Sequence, residues 1–333
     1  MAMQRKEIIE MMKNLSPVRM NDMMFGEILG DGWEDATMPR RIAPPSGYLS
    51  PKHWWGHYGL KIAYPILMGQ EYETPERQRD AEMFKYSGTV LRKADGPTFF
   101  VSDDLIDALD RTDVENSMPM EDLQWPHEGI LFVLPTARKF AEISGVFGTT
   151  SYITMFSIVR VDHVQYGKSY IVTFLDSESV TSHAHYPCRG TYGEQLAEHG
   201  QYFNRDDPAK SFFEEFGVEF TPNQLERDKW QNGEVVRLAW KILCAMNATN
   251  DIVKVGGGIA REARVKKGKN RPALWNPTML DLVERIQTEG ESGVGGTGVR
   301  LHWRRGHFRR QVCGVGRSER KTLWIKPHKV GSL

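Results

Sequence analysis

Residues 97–135 read PTFFVSDDLIDALDRTDVENSMPMEDLQWPHEGILFVLP. Thr98–Val101 is aromatic and β-branched, which predicts a strand. Ser102 follows, with Asp103 and Asp104 behind it. That order predicts an N-cap and a helix over Asp103–Arg111. The hydroxyl accepts an orphan backbone N–H, and the first turn of a helix favours acids. Gly129–Leu134 is an unbroken apolar run closed by Pro135, which predicts a buried strand.

Downstream, Tyr152–Asp162 and Ser169–Leu175 are two more strand-like runs, joined around His163–Lys168. Together these strands predict an antiparallel sheet packed with helices, an α+β body. Ser182-His183-Ala184-His185-Tyr186-Pro187-Cys188 reads as a polar loop. Glu194–Phe203 and Lys210–Phe216 are short helical segments. Asn223–Val253 predicts one or two longer helices, with Leu238, Ile242, Leu243 and Met246 on an apolar face. Gly256-Gly257-Gly258 reads as a break. Arg261–Arg271 reads as a basic linker, Pro277–Thr288 as a last helix, and Glu289–Gly298 (EGESGVGGTG) as a flexible tether.

Upstream, Gln4–Leu15 has a short helical pattern, and Asp31–Gly59 is an aromatic, proline-rich loop. Thr74–Tyr86 predicts a helix with Thr74 as N-cap and Pro75 in its first position. The resulting division is 1–96 as an N-terminal helical and aromatic-loop region and 97–253 as the α+β core. Residues 254–298 form a basic linker, helix and tether, and 299–333 a basic aromatic ribbon.

That ribbon is VRLHWRRGHFRRQVCGVGRSERKTLWIKPHKV over Val299–Val330, with ten Lys or Arg against one acid, Glu319. Arg300–Val312 and Thr322–Val330 predict a β-hairpin around Gly314 and Gly316. Guanidinium forks pair with phosphate oxygens, and aromatic faces stack on bases. The candidate polyanion-binding residues are therefore His302, Arg304, Arg305, His307, Phe308, Arg309, Arg310, Arg317, Arg320, Lys321, Trp324 and Lys326. The competing reading is a solvated basic edge whose aromatics pack on the body.

The 333 residues carry zero formal net charge. The balance hides a split: Lys254–Leu333 has 18 Lys and Arg against 6 acids, a net of +12, so Met1–Val253 carries −12. An acidic body and a basic tail serve different partners or attract each other. Three scattered cysteines, Cys188, Cys244 and Cys313, make no CxxC and fit a reducing cytoplasm. No apolar run reaches the ~18 residues of a membrane span.

Catalytic and metal constellations fare poorly. His53 and His57 lie four apart but lack a Glu and a third ligand, and Gly and Pro interrupt any helix. His183, His185 and Cys188 have no second cluster nearby. Asp103 and Asp104 are adjacent, so they do not face each other across a helix. Gly293, Gly295 and Gly298 match G-x-G-x-x-G but precede no helix. No metal or cofactor is expected, and an enzyme is the weaker reading. Its best form is a nuclease using His302, His307 and His328.

His302-x-Arg304-Arg305-Gly306-His307-Phe308, then Gly314-x-Gly316 and Leu323-Trp324-Ile325, resembles the end of the large type V-A anti-CRISPR family, which silences expression of the Cas12-type effector nuclease. The order of the strand ending at Leu134-Pro135, the hairpin across Ile158–Leu175, the helix around Val236–Met246 and the basic linker is similar too. The resemblance runs from about Pro97 onward. It implies a non-enzymatic phage or plasmid protein that reads the nascent N-terminal peptide of its target on the ribosome and triggers loss of the target's mRNA. The target peptide, and the residues that would hold it, remain open. The alternative is a general RNA- or DNA-binding protein of a mobile element.

Overall fold

The computed structural model describes residues 44–49, 51, 54, 84, 87–88, 90–91, 97–123, 127–144, 150–163, 167–177, 181–203, 222–248, 252–260, 274–282 and 302–330. In chain order the elements are β1 (Thr98–Val101), α1 (Asp103–Asp110), β2 (Thr112–Val114), β3 (Gly129–Val133), β4 (Phe140–Ser144), β5 (Thr150–His163), β6 (Gly167–Asp176) and β7 (Thr181–Pro187). There follow α2 (Tyr192–Phe203), α3 (Pro222–Asn247), β8 (Ile252–Ala260), β9 (Leu274–Leu282), β10 (His302–Arg304), β11 (Gly306–Cys313), β12 (Glu319–Ile325) and β13 (His328–Val330).

The fold is mixed α+β. The main sheet runs β7-β6-β5-β3-β1-β9-β8, with β4 also paired to β5. The wholly antiparallel sheet expected from the sequence is corrected at the centre, where β1 pairs in parallel with both β3 and β9. The reason is α1. A strand followed by a helix lets the chain return in the same direction, as a tight hairpin does not. The β5–β6 pairing from Ile153–Asp176 to His163–Gly167 is antiparallel.

Both faces of this sheet are buried, which explains the unbroken apolar run of β3. Side chains alternate across a strand. Phe99, Val101, Ile130 and Phe132 face one core with Val235, Leu238, Trp240 and Ile242 of α3. Phe100, Leu131, Val133 and Met155 face a second core with Trp54, Phe84 and Leu91. The Trp54 and Phe84 rings lie 4.5 Å apart. Trp54, Phe84 and Leu91 thus cover part of one face of the sheet.

Ser102 does more than cap. Its Oγ accepts from the Leu105 N–H at 3.1 Å and donates to Asp281 Oδ1 at 2.7 Å. One hydroxyl therefore starts α1 and ties it to the end of β9.

Three further readings are corrected. Gly256-Gly257-Gly258 does not break the chain but lies inside β8, with Gly256 opposite Thr278 and Gly258 opposite Asn276. Pro277 starts no helix, because Leu274–Leu282 is a strand paired to both β1 and β8. Ser182–Pro187 is no loop but strand, paired residue by residue with β6. Gln4–Leu15, Lys210–Phe216, Arg261–Arg271 and the Glu289–Gly298 tether lie outside the described residues. So do His53 and His57.

Candidate nucleic-acid interface

Gly306–Cys313 and Glu319–Ile325 pair antiparallel, from His307 opposite Ile325 to Cys313 opposite Glu319. The turn between them uses Gly314 and Gly316, both at positive φ (79° and 67°), where a side chain is disfavoured. Beyond a break at Arg305 and Pro327 the chain continues in the same register as β10 and β13, with Arg304 opposite His328. The break has a cause. Proline has no N–H for the ladder, and the Gly306 N–H is drawn away to donate to Arg111 O at 2.9 Å.

The sequence predicts a basic ribbon on a flexible tether; the tether lies outside the described residues, and the ribbon itself is docked on the body. β11 also pairs in parallel with β2, with Gly306 beside Thr112 and Phe308 beside Val114. Trp324 Nε1 donates to Thr112 Oγ1 at 3.1 Å, and Thr112 Oγ1 donates to Ala108 O at 2.7 Å. The arm is thereby fastened to the end of α1. β2 is too short to show a period-two pattern, so nothing in the sequence marks it as the anchor.

The predicted site residues separate. Phe308 and Trp324 are cross-strand partners, stacked with centroids 5.5 Å apart, and 1% and 4% exposed. Both join the body's core cluster. They are corrected from base-stacking surfaces to anchors, since a buried ring offers no face to a base. Arg310 lies on the same inner side and pairs with Asp122. Arg305 pairs with Asp113 at 3.2 Å.

Arg304, His307, Arg309, Arg317, Arg320 and Lys321 are exposed. Lys326 places Nζ 5.9 Å from the Trp324 ring centroid. Side chains of His302 and His328 lie outside the described residues. At the tip Val315 is 97% exposed.

Next to the arm, a cleft of about 550 Å³ opens between α1, the end of β9 and Pro327. Asp104, Asp107, Arg111 and Asp281 line it. The residue pattern alone points to none of these four as a binding residue; it marks Asp104 as helix-capping charge and no more. Asp281 reaches the cleft only because β9 lies beside β1. Among the described residues, no three His, Cys, Asp or Glu side chains come together as metal ligands. No described helix is long and apolar enough to cross a membrane.

Two of the thiols, half-buried Cys188 and buried Cys244, are held in the protonated form. Burial pushes Cys188 up to about 11, against a smaller lowering by its hydrogen bond with Tyr170. Burial pushes Cys244 up to about 12. The thiolate is the reactive form. Native chain treated with iodoacetamide at pH 8 is expected to label at Cys313, half-exposed on the arm, well before Cys188 or Cys244. Peptide mass spectrometry checks this, and equal labelling of all three contradicts it. The same shifts predict stability lost at alkaline pH. The fold holds protons that the unfolded chain releases as pH passes the ordinary cysteine value of 9.0.

The family model described as "AcrVA2-like: Anti-CRISPR type V subtype A2 family" matches residues 99–332. No curated protein matches the chain. A solved structure described as "Crystal structure of AcrVA2" is similar at 14% identity and a TM-score of 0.41. That likeness covers 83% of this chain and 93% of the other.

Proposed function

The chain belongs to the AcrVA2-like family of type V subtype A2 anti-CRISPR proteins, and from that premise we propose that it silences a CRISPR-related target in the cytoplasm by reading the target's nascent N-terminal peptide while its basic arm holds RNA of the message or ribosome. The observation that carries the RNA half is the arm's exposed charge. Arg304, Arg309, Arg317, Arg320 and Lys321 are exposed and form no ion pair with a described residue. Their self-repulsion goes uncompensated until a polyanion arrives. The peptide half rests on the family resemblance and on the acidic cleft. Asp104 and Asp281 face Arg111 there, with Asp107 already paired to Arg138; this acidic lining suits a peptide bearing a basic side chain, and Pro327 lies at the edge of the cleft beside the arm.

Two weak contacts acting together exceed either alone by ~10²–10⁴-fold when geometry allows both at once. Silencing is then expected to depend on the encoded peptide. In a reporter fused to the target's first codons, synonymous recoding leaves silencing intact, and amino-acid changes abolish it. Relief of silencing by synonymous recoding alone would mean that the protein reads RNA sequence, as a general RNA-binding protein would.

A further inference from the structure

Alternation along the arm puts its two buried rings on one side and part of its charge on the other. Phe308 and Trp324 turn inward and are buried. Arg309 and Lys321 turn the other way: Arg309 lies opposite Leu323, and Gln311 opposite Lys321. Arg309 and Lys321 are thus diagonal neighbours, about 7–8 Å apart on the ribbon. Arg317 at the turn is exposed as well, and Arg320, opposite Val312 on the side of the rings, is also exposed. Among the arm's described side chains no Phe, Tyr or Trp is exposed.

Proteins that hold unpaired nucleotides do so by stacking bases on open aromatic faces, each worth ~1–3 kcal/mol. This arm has withdrawn two of its rings to fasten itself to the body. What its outward side presents among the described residues is His307, Arg309 and Lys321. The minor groove of an RNA duplex is wide and shallow, with phosphates and 2′-hydroxyls along its edges, and base-paired RNA is recognised by shape and backbone. Building on the proposal that the arm holds RNA, we infer that its ligand is base-paired RNA, held through the sugar-phosphate backbone without regard to sequence.

The test is fluorescence anisotropy of the full chain with an RNA duplex of about 20 bp and with an oligo(U) of about 20 nucleotides, between about 50 and 200 mM salt. With Arg309, Lys321 and the neighbouring Arg317 on three phosphates, the duplex affinity should fall with a log–log slope of about −3. The double variant Arg309→Ala, Lys321→Ala should lower that slope by about 2 while circular dichroism stays unchanged. Changing the duplex sequence should move the affinity less than about twofold, because phosphates carry no base identity. The duplex should bind more tightly than oligo(U). Tighter oligo(U) binding, or dependence on base sequence, would overturn the duplex assignment and leave RNA binding by the arm standing. A folded chain that binds neither RNA would overturn both.

Discussion

Trp324→Ala is expected to destabilise the whole protein, by about 3–5 kcal/mol, the range for deleting a large buried ring. The indole is 4% exposed and stacks on Phe308. It shares a core cluster with Leu105 and Leu109 of α1 and with Val235 and Leu238 of α3. Its N–H satisfies Thr112 Oγ1. Truncation therefore opens a cavity at the junction of arm, α1 and α3, and removes a donor from a buried hydroxyl. Domains are stable by about 5–15 kcal/mol in total, so such a loss consumes much of the margin. Trp324→Phe keeps most of the apolar surface and loses the hydrogen bond, so its cost should be clearly smaller. Urea unfolding of the three proteins measures this. An aromatic kept for stacking on bases behaves in the opposite way: Trp324→Ala would barely move the midpoint and would cut RNA affinity.

The contrast shows what can be read from residue types. β1, the Ser102 cap and α1 are legible because their signals are local: an apolar run, a hydroxyl, acids in a first turn. β5 and β6 are legible for the same reason. The parallel centre is not. The pairing of β1 with β9 joins residues far apart in sequence, and β9 contains Pro277, whose local signal favours a helix start. β8 is hidden by its three glycines, which lower strand propensity yet lie in a ladder with β9. At the arm, the positive charge is legible and the direction of each side chain is not. Alternation puts Phe308 and Arg309 on opposite sides, but only the β2 pairing decides which side meets the body. A three-residue strand inside the segment after α1 carries no pattern strong enough to announce that pairing.

Gly306 is where that pairing is most exposed to a single change. A β-carbon added there would lie 2.6 Å from Thr112 Oγ1, 2.7 Å from Pro327 Cδ and 2.8 Å from Ile325 O. None of the three yields easily. Thr112 Oγ1 is held between Ala108 O and Trp324 Nε1, Pro327 is a ring, and Ile325 O belongs to the backbone. Gly306→Ala therefore forces β11 away from β2, breaking the bond from the Gly306 N–H to Arg111 O. Overpacking of this kind costs about 1–3 kcal/mol, here concentrated on the arm's attachment and not spread over the sheet. The variant keeps every cation of the arm, so it separates charge from placement. Trypsin is expected to cut after Arg304, Arg305, Arg309 or Arg310 roughly tenfold faster or more than in the parent chain, since a cost of about 1.4 kcal/mol already raises the open population about tenfold. Sites in β5 and β6 should keep their protection in hydrogen exchange. If the arm holds RNA as a fixed surface, duplex affinity should fall as well, although no charge has been lost. Unchanged cleavage of the arm in Gly306→Ala would show that the β2 contact does not hold it in place.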